Sequence, residues 1–408
     1  LKKNNAQKTI VILFILGSLF ACNPFAANKN NPTEIIATPT IPTIITADLS
    51  TEVPASKTPL PPTEVPTDSE SSTSYGPSNF PIDVNPLTGK KVTNPELLDR
   101  RPLAVKVQIF PRGQRPAWGV SLADIVYDYY QNNGLTRLHT IFYGQDSETV
   151  GPIRSARLPD IPIVNMYKSI FAFGSAEERT IDRLYSSNFV DRLVMEGYDK
   201  CPPMCRVDPN GFNYLVTNTT ELSTYISDQG IDNTRQDLDG MNFNQIAPQG
   251  GQLASQLSVR VSISAYTRWD YDAASGRYLR FQDTVEAYDQ ASEVYEAFTD
   301  RLSGQQIAAD NVIVLLATYN YAFGTQPGPG EVINIELTKS GKAYAFREGQ
   351  IYEIEWQHPT SESVLTLTFS DGSPYPFKPG NTWFHIIGQS SKTANPENGI
   401  WRFEMLIP

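Results

Sequence analysis

A short apolar run that stops at a cysteine separates the part of this chain that folds from the part that delivers it. Ile10 to Ala21 is apolar, follows Lys2, Lys3 and Lys8, and ends at Leu19-Phe20-Ala21-Cys22. The run is too short to cross ~30 Å of hydrocarbon as a helix. A positive start, an apolar stretch and small residues before a cut site fit a secretory signal. Leu19 at −3, Ala21 at −1 and Cys22 at +1 fit the lipoprotein form of that signal. Cys22 would then carry a diacylglycerol thioether, whose two acyl chains give the stable anchoring that one chain does not. An ordinary signal peptide that happens to contain a cysteine is the alternative. The expectation is a signal peptide over 1–22, lipidation at Cys22, and an extracytoplasmic body tethered to the cell membrane.

Residues 23–80 are rich in Thr, Pro, Ser and Glu, and they repeat the tetrapeptide Thr51-Glu52-Val53-Pro54 as Thr63-Glu64-Val65-Pro66. Prolines remove backbone donors and favour extended polyproline conformation. Without apolar periodicity the segment has nothing to offset ordering entropy. It reads as a disordered linker, reaching roughly 170 Å if extended and nearer 45 Å as a coil. Its Thr and Pro content also permits O-glycosylation.

About 330 residues of the 408 remain, enough for two domains with cores. Aromatic residues make up 11%, which suits packed β-structure. The net charge of −11 opposes non-specific nucleic-acid binding, which needs many Lys and Arg contacts to phosphate, so no nucleic-acid partner is expected. With Cys22 assigned to lipid, Cys201 and Cys205 are left as an even pair in an exported protein, which reads as a disulfide. The spacing is C-x₃-C, not the C-x-x-C of thioredoxin-like redox motifs. The histidines, His139, His358 and His385, are dispersed, so no metal site is expected. No cofactor motif is present either.

From 81 to 240 strand and helix signals alternate, which predicts an N-terminal α/β layered domain. Leu103 to Ile109 and Arg137 to Tyr143 read as strands, and Ile170 to Phe173 as a buried one. Leu122 to Tyr130 is ambiguous between a short helix and a strand. Leu158 to Tyr167 reads as partly helical. Ser175-Ala176-Glu177-Glu178 has capping-box spacing and predicts a helix to Tyr185 with Ser175 as N-cap. From 255 to 408 strand signals dominate and predict a β-rich C-terminal domain, with Asn311 to Tyr319 as a buried strand. Ala273-Ala274-Ser275-Gly276 turns a hairpin, and Val285 to Leu302 reads as a helix from apolar Val294, Tyr295, Phe298 and Leu302. Trp356 and Trp383 are most simply core aromatics. The fold class is therefore mixed α+β.

Several short motifs fit together as a set. Asn85-Pro86-Leu87-Thr88-Gly89, Arg101-Pro102-Leu103-Ala104-Val105, Ala123-Asp124-Ile125-Val126-Tyr127-Asp128, Gly134-Leu135-Thr136-Arg137 and Gly151-Pro152-Ile153-Arg154-Ser155-Ala156-Arg157 resemble the YerB-like bacterial lipoproteins. Asn311-Val312-Ile313-Val314, Ser340-Gly341-Lys342-Ala343 and Pro379-Gly380-Asn381-Thr382-Trp383 resemble that family's C-terminal domain. The resemblance covers roughly 83–390. It implies a two-domain, exported, lipid-anchored protein and leaves the mechanism open.

The densest chemical signal is Gly151 to Arg157, which follows a strand and precedes a helical stretch. Ligands of α/β sheets sit beyond the carboxyl ends of strands. Backbone N–H groups at a helix start favour anions. Arg154 and Arg157 offer planar forks for phosphate or carboxylate, with Arg137 and Ser155 beside them. The sharp reading is a binding site for an anionic glycan or phosphorylated envelope molecule. The bland one is that these arginines pair internally with Asp124, Asp128 or Asp146. No complete catalytic apparatus is legible: G-x-S-x-G is absent. Asp124 and Asp128 are the weak catalytic candidates for an alternative, a cell-wall polymer hydrolase using paired carboxylates. A third reading is an interaction lipoprotein whose edge strands dock a membrane protein. Asp237-Leu238-Asp239-Gly240-Met241-Asn242 lacks the spacing of a calcium loop and reads as an Asx-rich turn.

Overall fold

A computed structural model describes residues 74–197, 199–208 and 214–406. The signal, Cys22 and most of the expected linker lie outside them. Ser74–Tyr75, inside the expected linker, already pairs antiparallel with Asn242–Asn244.

The strands that position the site are β1 (Leu103–Gln108), β2 (Ile125–Asn132) and β3 (Leu135–Phe142). Helix α1 (Asp160–Tyr167), β4 (Ile170–Phe173), α2 (Glu178–Tyr185), β5 (Leu193–Met195) and α3 (Thr219–Asp228) follow. The C-terminal part supplies β6 (Gln252–Arg260), β7 (Tyr266–Asp272), β8 (Arg277–Asp283) and β9 (Asn311–Tyr321). It ends with β10 (Ser340–Arg347), β11 (Gln350–Gln357), β12 (Thr366–Thr368), β13 (Thr382–Gly388), β14 (Lys392–Glu397) and β15 (Gly399–Glu404). The described chain is strand-rich with few helices, and its α-helices all fall between Asp160 and Asp228.

One sheet runs β5-β4-β1-β3-β2-β13-β9-β10-β11-β12 through both halves of the sequence. The join is parallel: Ile125 of β2 faces Thr382 of β13, and Asn311 of β9 faces the same Thr382. Apolar runs explain this centre. β9 opens Asn311-Val312-Ile313-Val314-Leu315-Leu316 and β13 reads Trp383-Phe384-His385-Ile386-Ile387, both buried on each face as parallel strands are. A second layer, β14-β15-β6-β7-β8, joins the first where Gln252 and Leu253 pair with β11. A single apolar core extends from Leu87 to Met405, and the described residues fall in one compact unit.

The expected strands at 103–109, 137–143, 170–173 and 311–319 are present, and the ambiguous segment 122–130 resolves to β2. Trp356 and Trp383 are buried core residues. Gly276 turns the β7–β8 hairpin at φ 67°. Two expectations are overturned. The N-cap of α2 is Glu177, which accepts from Thr180 N, not Ser175. Ser175 O instead accepts from Ala156 N, and its hydroxyl is hydrogen-bonded to the hydroxyl of Ser155 at 3.0 Å. The helix expected over 285–302 is a short 3-10 turn, Gln290–Ser292, and a strand, Tyr295–Ala297. Only Phe298 among its four apolar markers is buried, so no stripe holds a helix to the core.

Candidate functional site

The loop 152–157 runs alongside the carboxyl end of β1 and meets the chain just beyond the carboxyl end of β4, two strands that run parallel to each other. It is fixed as if it were a strand: Gln108 N donates to Pro152 O, Arg154 N to Lys106 O, Ala156 N to Ser175 O and Gly174 N to Arg154 O. On its other side Ile153 N donates to Leu215 O. Leu215–Thr217 pairs with Met204–Arg206, and the Cys201–Cys205 disulfide closes the turn leading into that pair. The bonded cysteines thus support the back of the loop.

The sheet beneath presents Lys106, Gln108, Tyr129, Arg137 and His139 on one face, since Gln108 and Tyr129 both face Arg137 across the ladder and Lys106 faces His139. Arg137 Nη1 donates to Ser155 O at 2.8 Å. Arg157 Nη1 donates to Ala156 O at 2.9 Å and to Ser155 O at 3.4 Å. Arg154 Nε donates to Gln108 Oε1. The structure therefore brings Arg137, Arg154, Ser155 and Arg157 together. Burial pulls Arg137 down to about 9, and repulsion from Arg157 and Arg154 adds to it. Burial lowers Arg157 and Arg154 as well.

The one carboxylate at the base of this cluster is Asp160, fully buried in the first turn of α1. Its Oδ1 accepts from Lys106 Nζ at 2.9 Å, Tyr129 OH at 2.5 Å and His139 Nδ1 at 2.8 Å, and its Oδ2 from Arg157 N at 2.6 Å. Burial pushes its carboxyl up, but Lys106 and the His139 bond overcome that and hold it well below the usual range. Burial pulls Lys106 down to about 8 against the attraction of Asp160, and burial lowers His139. Asp160 is thus matched to Lys106, and the guanidinium groups of Arg137 and Arg157 make no carboxylate ion pair among the described residues. Sequence reading missed this floor. Its one signal was Lys106 in the middle of an otherwise apolar strand.

The three aspartates that offered an internal explanation are engaged elsewhere. Asp146 pairs with Arg100 at 2.7 Å. Asp128 is buried against Arg280 at 2.8 Å, with His385 Nδ1 3.7 Å away. Asp124 Oδ2 accepts Tyr143 N at 2.6 Å and Gly144 N at 2.9 Å, and burial raises its carboxyl to about 6. Asp124 and Asp128 do not face each other across a groove: four residues of extended chain set them roughly 13 Å apart, and Asp128 is closed off by Arg280. Asp237 Oδ1 accepts Asp239 N at 3.0 Å, the expected Asx turn.

Residues 87–232 match the N-terminal domain, and residues 257–384 the C-terminal domain, of DUF3048, a protein family of unknown function. The chain belongs to this family. It is 27% identical over 315 residues to Bacillus subtilis YerB, a protein classed by its name among lipoproteins, covering 74% of this chain and 85% of that one. The crystal structure of Bacillus subtilis YerB is similar with a TM-score of 0.60 at 25% identity, covering 74% of this chain and 96% of that chain. The resemblance drawn from the motifs is thus correct, and the family's two-domain division falls across a single continuous sheet.

Proposed function

We propose that this chain is a lipid-anchored extracytoplasmic protein whose body binds a phosphate- or carboxylate-bearing envelope molecule at the arginine loop. The lipoprotein name of its relative YerB supports the anchor, together with the cysteine at the end of the apolar run. One observation carries the binding site: among the described residues, the partly buried guanidinium groups of Arg137 and Arg157 donate to the carbonyls of residues 155 and 156 and to no carboxylate. Arginines held this way keep donors for an anion, and an arriving anion relieves their mutual repulsion.

The binding test titrates this chain with inorganic phosphate, poly(glycerol phosphate) and a muramyl peptide, comparing it with Arg137→Gln and Arg157→Gln. A lost charge-assisted bond lowers affinity roughly tenfold. Poly(glycerol phosphate) preferred over the muramyl peptide identifies a phosphate ligand, and the reverse order a carboxylate ligand. Equal binding by parent and variants removes the site. The anchor is tested separately by fatty-acid labelling, which Cys22→Ala should abolish.

A further inference from the structure

A second site lies at the opposite ends of the strands, and it is built by both halves of the chain. The parallel register of β2, β13 and β9 puts the residues just before them side by side: Asp124, Asn381 and Asp310. They line a cavity of about 530 Å³, half open to solvent, whose other wall carries Asn85 and Lys90. That volume is in the range of small-molecule sites. Three of the short motifs noted in the sequence, those starting at Asn85, Ala123 and Pro379, converge here.

The walls are shaped for this arrangement. Gly380 N donates to Thr88 O, which closes the Pro379-Gly380 turn over the 85–89 segment. At φ 152°, a Cβ on Gly380 would lie 2.0 Å from Asp310 Oδ2, so only glycine lets the turn approach that carboxylate. Asn381 Oδ1 accepts from Asp310 N and from Arg277 Nη2, tying the three walls together. Asn85 Oδ1 accepts Leu87 N at 2.9 Å. Its amide Nδ2 is fully buried beside Asp124 and helps to hold that carboxyl down, although the contact falls short of ordinary hydrogen-bond geometry. A donor so weakly satisfied inside the protein costs free energy.

Charge decides what fits. Lys90, Lys91 and Arg277 line the cavity against Asp124, Asp146 and Asp310, so its ionic walls balance. Asp310 lies 3.6 Å from Lys90 and from Arg277, and 3.8 Å from Lys378. An anion would meet three carboxylates, a cation three basic side chains, and an apolar group would leave these polar walls without partners. Hydroxyl groups donate and accept, and suit walls of mixed amide, carboxylate and cation. We infer that this cleft is a saccharide site, taking a short stretch of uncharged glycan through its hydroxyl groups. It is separate from the arginine loop and does not depend on the anion reading.

The test records backbone amide shifts of this chain with tri-N-acetylchitotriose, maltotriose and inorganic phosphate, each at about 10 mM, a concentration that reveals weak sites. Shifts at residues 85–94, 121–124, 144–146 and 381 with either saccharide, unaltered in Arg157→Gln, are the expected result. Asn85→Ser keeps a short acceptor for the turn and removes the amide, and should weaken saccharide binding roughly tenfold. Gln145→Ala, at the exposed rim, should weaken it about threefold and serves if Asn85→Ser does not fold. No cleft shifts with either saccharide, or shifts there with phosphate alone, overturn the inference. Loss of saccharide binding in Arg157→Gln would assign it to the other site.

Discussion

Two populations of arginine coexist in this molecule. Arg280 is fully buried, lies over the Trp383 ring at 4.1 Å, and faces Asp128. Arg112 and Arg115 both face buried Asp283, and Arg260 and Arg402 both face Glu293. Arg137 and Arg157 are also largely withdrawn from water, yet they meet backbone carbonyls and each other. A buried cation without a counter-ion is costly, so most of the structural arginines here face an acid; Arg192, which donates to Ser169 O, is an exception. Asp160 attracts Arg137 and Arg157 but is paired with Lys106, and in the proposed function their remaining donors serve a ligand. The proposed anion site rests on this contrast.

The largest effect should come from Arg280→Met. It leaves Asp128 buried and uncompensated, and should cost about 3–5 kcal/mol in urea unfolding. Asp128→Asn in the same chain should recover part of this. A loss below about 1 kcal/mol would erase the distinction, because it would make Arg280 as dispensable as the loop arginines.

Asp124 is the reverse case, a buried acid held by backbone N–H groups. Burial raises its carboxyl from 3.8 to about 6. The folded state then binds more protons than the unfolded one across that window. Stability should fall by about 2–3 kcal/mol as pH rises from 4 to 7. Asp124→Asn keeps an acceptor for Tyr143 and Gly144 and should flatten this slope; an unchanged slope would assign the titration to another group.

Glu293 behaves in the opposite sense. Burial raises it, but the bonds to Arg402, Tyr295 and Arg260 win and hold it below its ordinary value. Its contribution is full above the unfolded value and is lost as pH falls through the folded one. Glu293→Gln should cost about 2 kcal/mol at pH 7 and remove that acid-side loss. Arg157→Gln should change stability by less than about 1 kcal/mol, since it breaks no ion pair.

Local patterns were legible in the sequence and long-range ones were not. Alternating or unbroken apolar runs gave β1, β3, β4 and β9 because their side chains meet a core directly. Lys392–Glu397 escaped notice because it is almost wholly exposed and has no apolar alternation. The 285–302 helix was misread because apolar spacing by threes and fours also arises by chance in a loop that buries only some of its members. The arginine loop could be read because its residues are neighbours in sequence. The Asp128–Arg280 pair, 152 residues apart, and the cleft of Asp124, Asp310 and Asn381 depend on which strands lie in parallel. The short motifs starting at Asn85, Ala123 and Pro379 were the local marks of that cleft.

The arginine loop's role is tested most directly by the melting temperature of this chain and of Arg137→Gln/Arg157→Gln, with and without inorganic phosphate. Ligand that binds only the folded state raises the melting temperature. The account predicts that phosphate raises it for the parent and not for the double variant, and that without phosphate the variant melts no lower than the parent. An equal rise in both proteins, or a variant that melts far below the parent without phosphate, would contradict it.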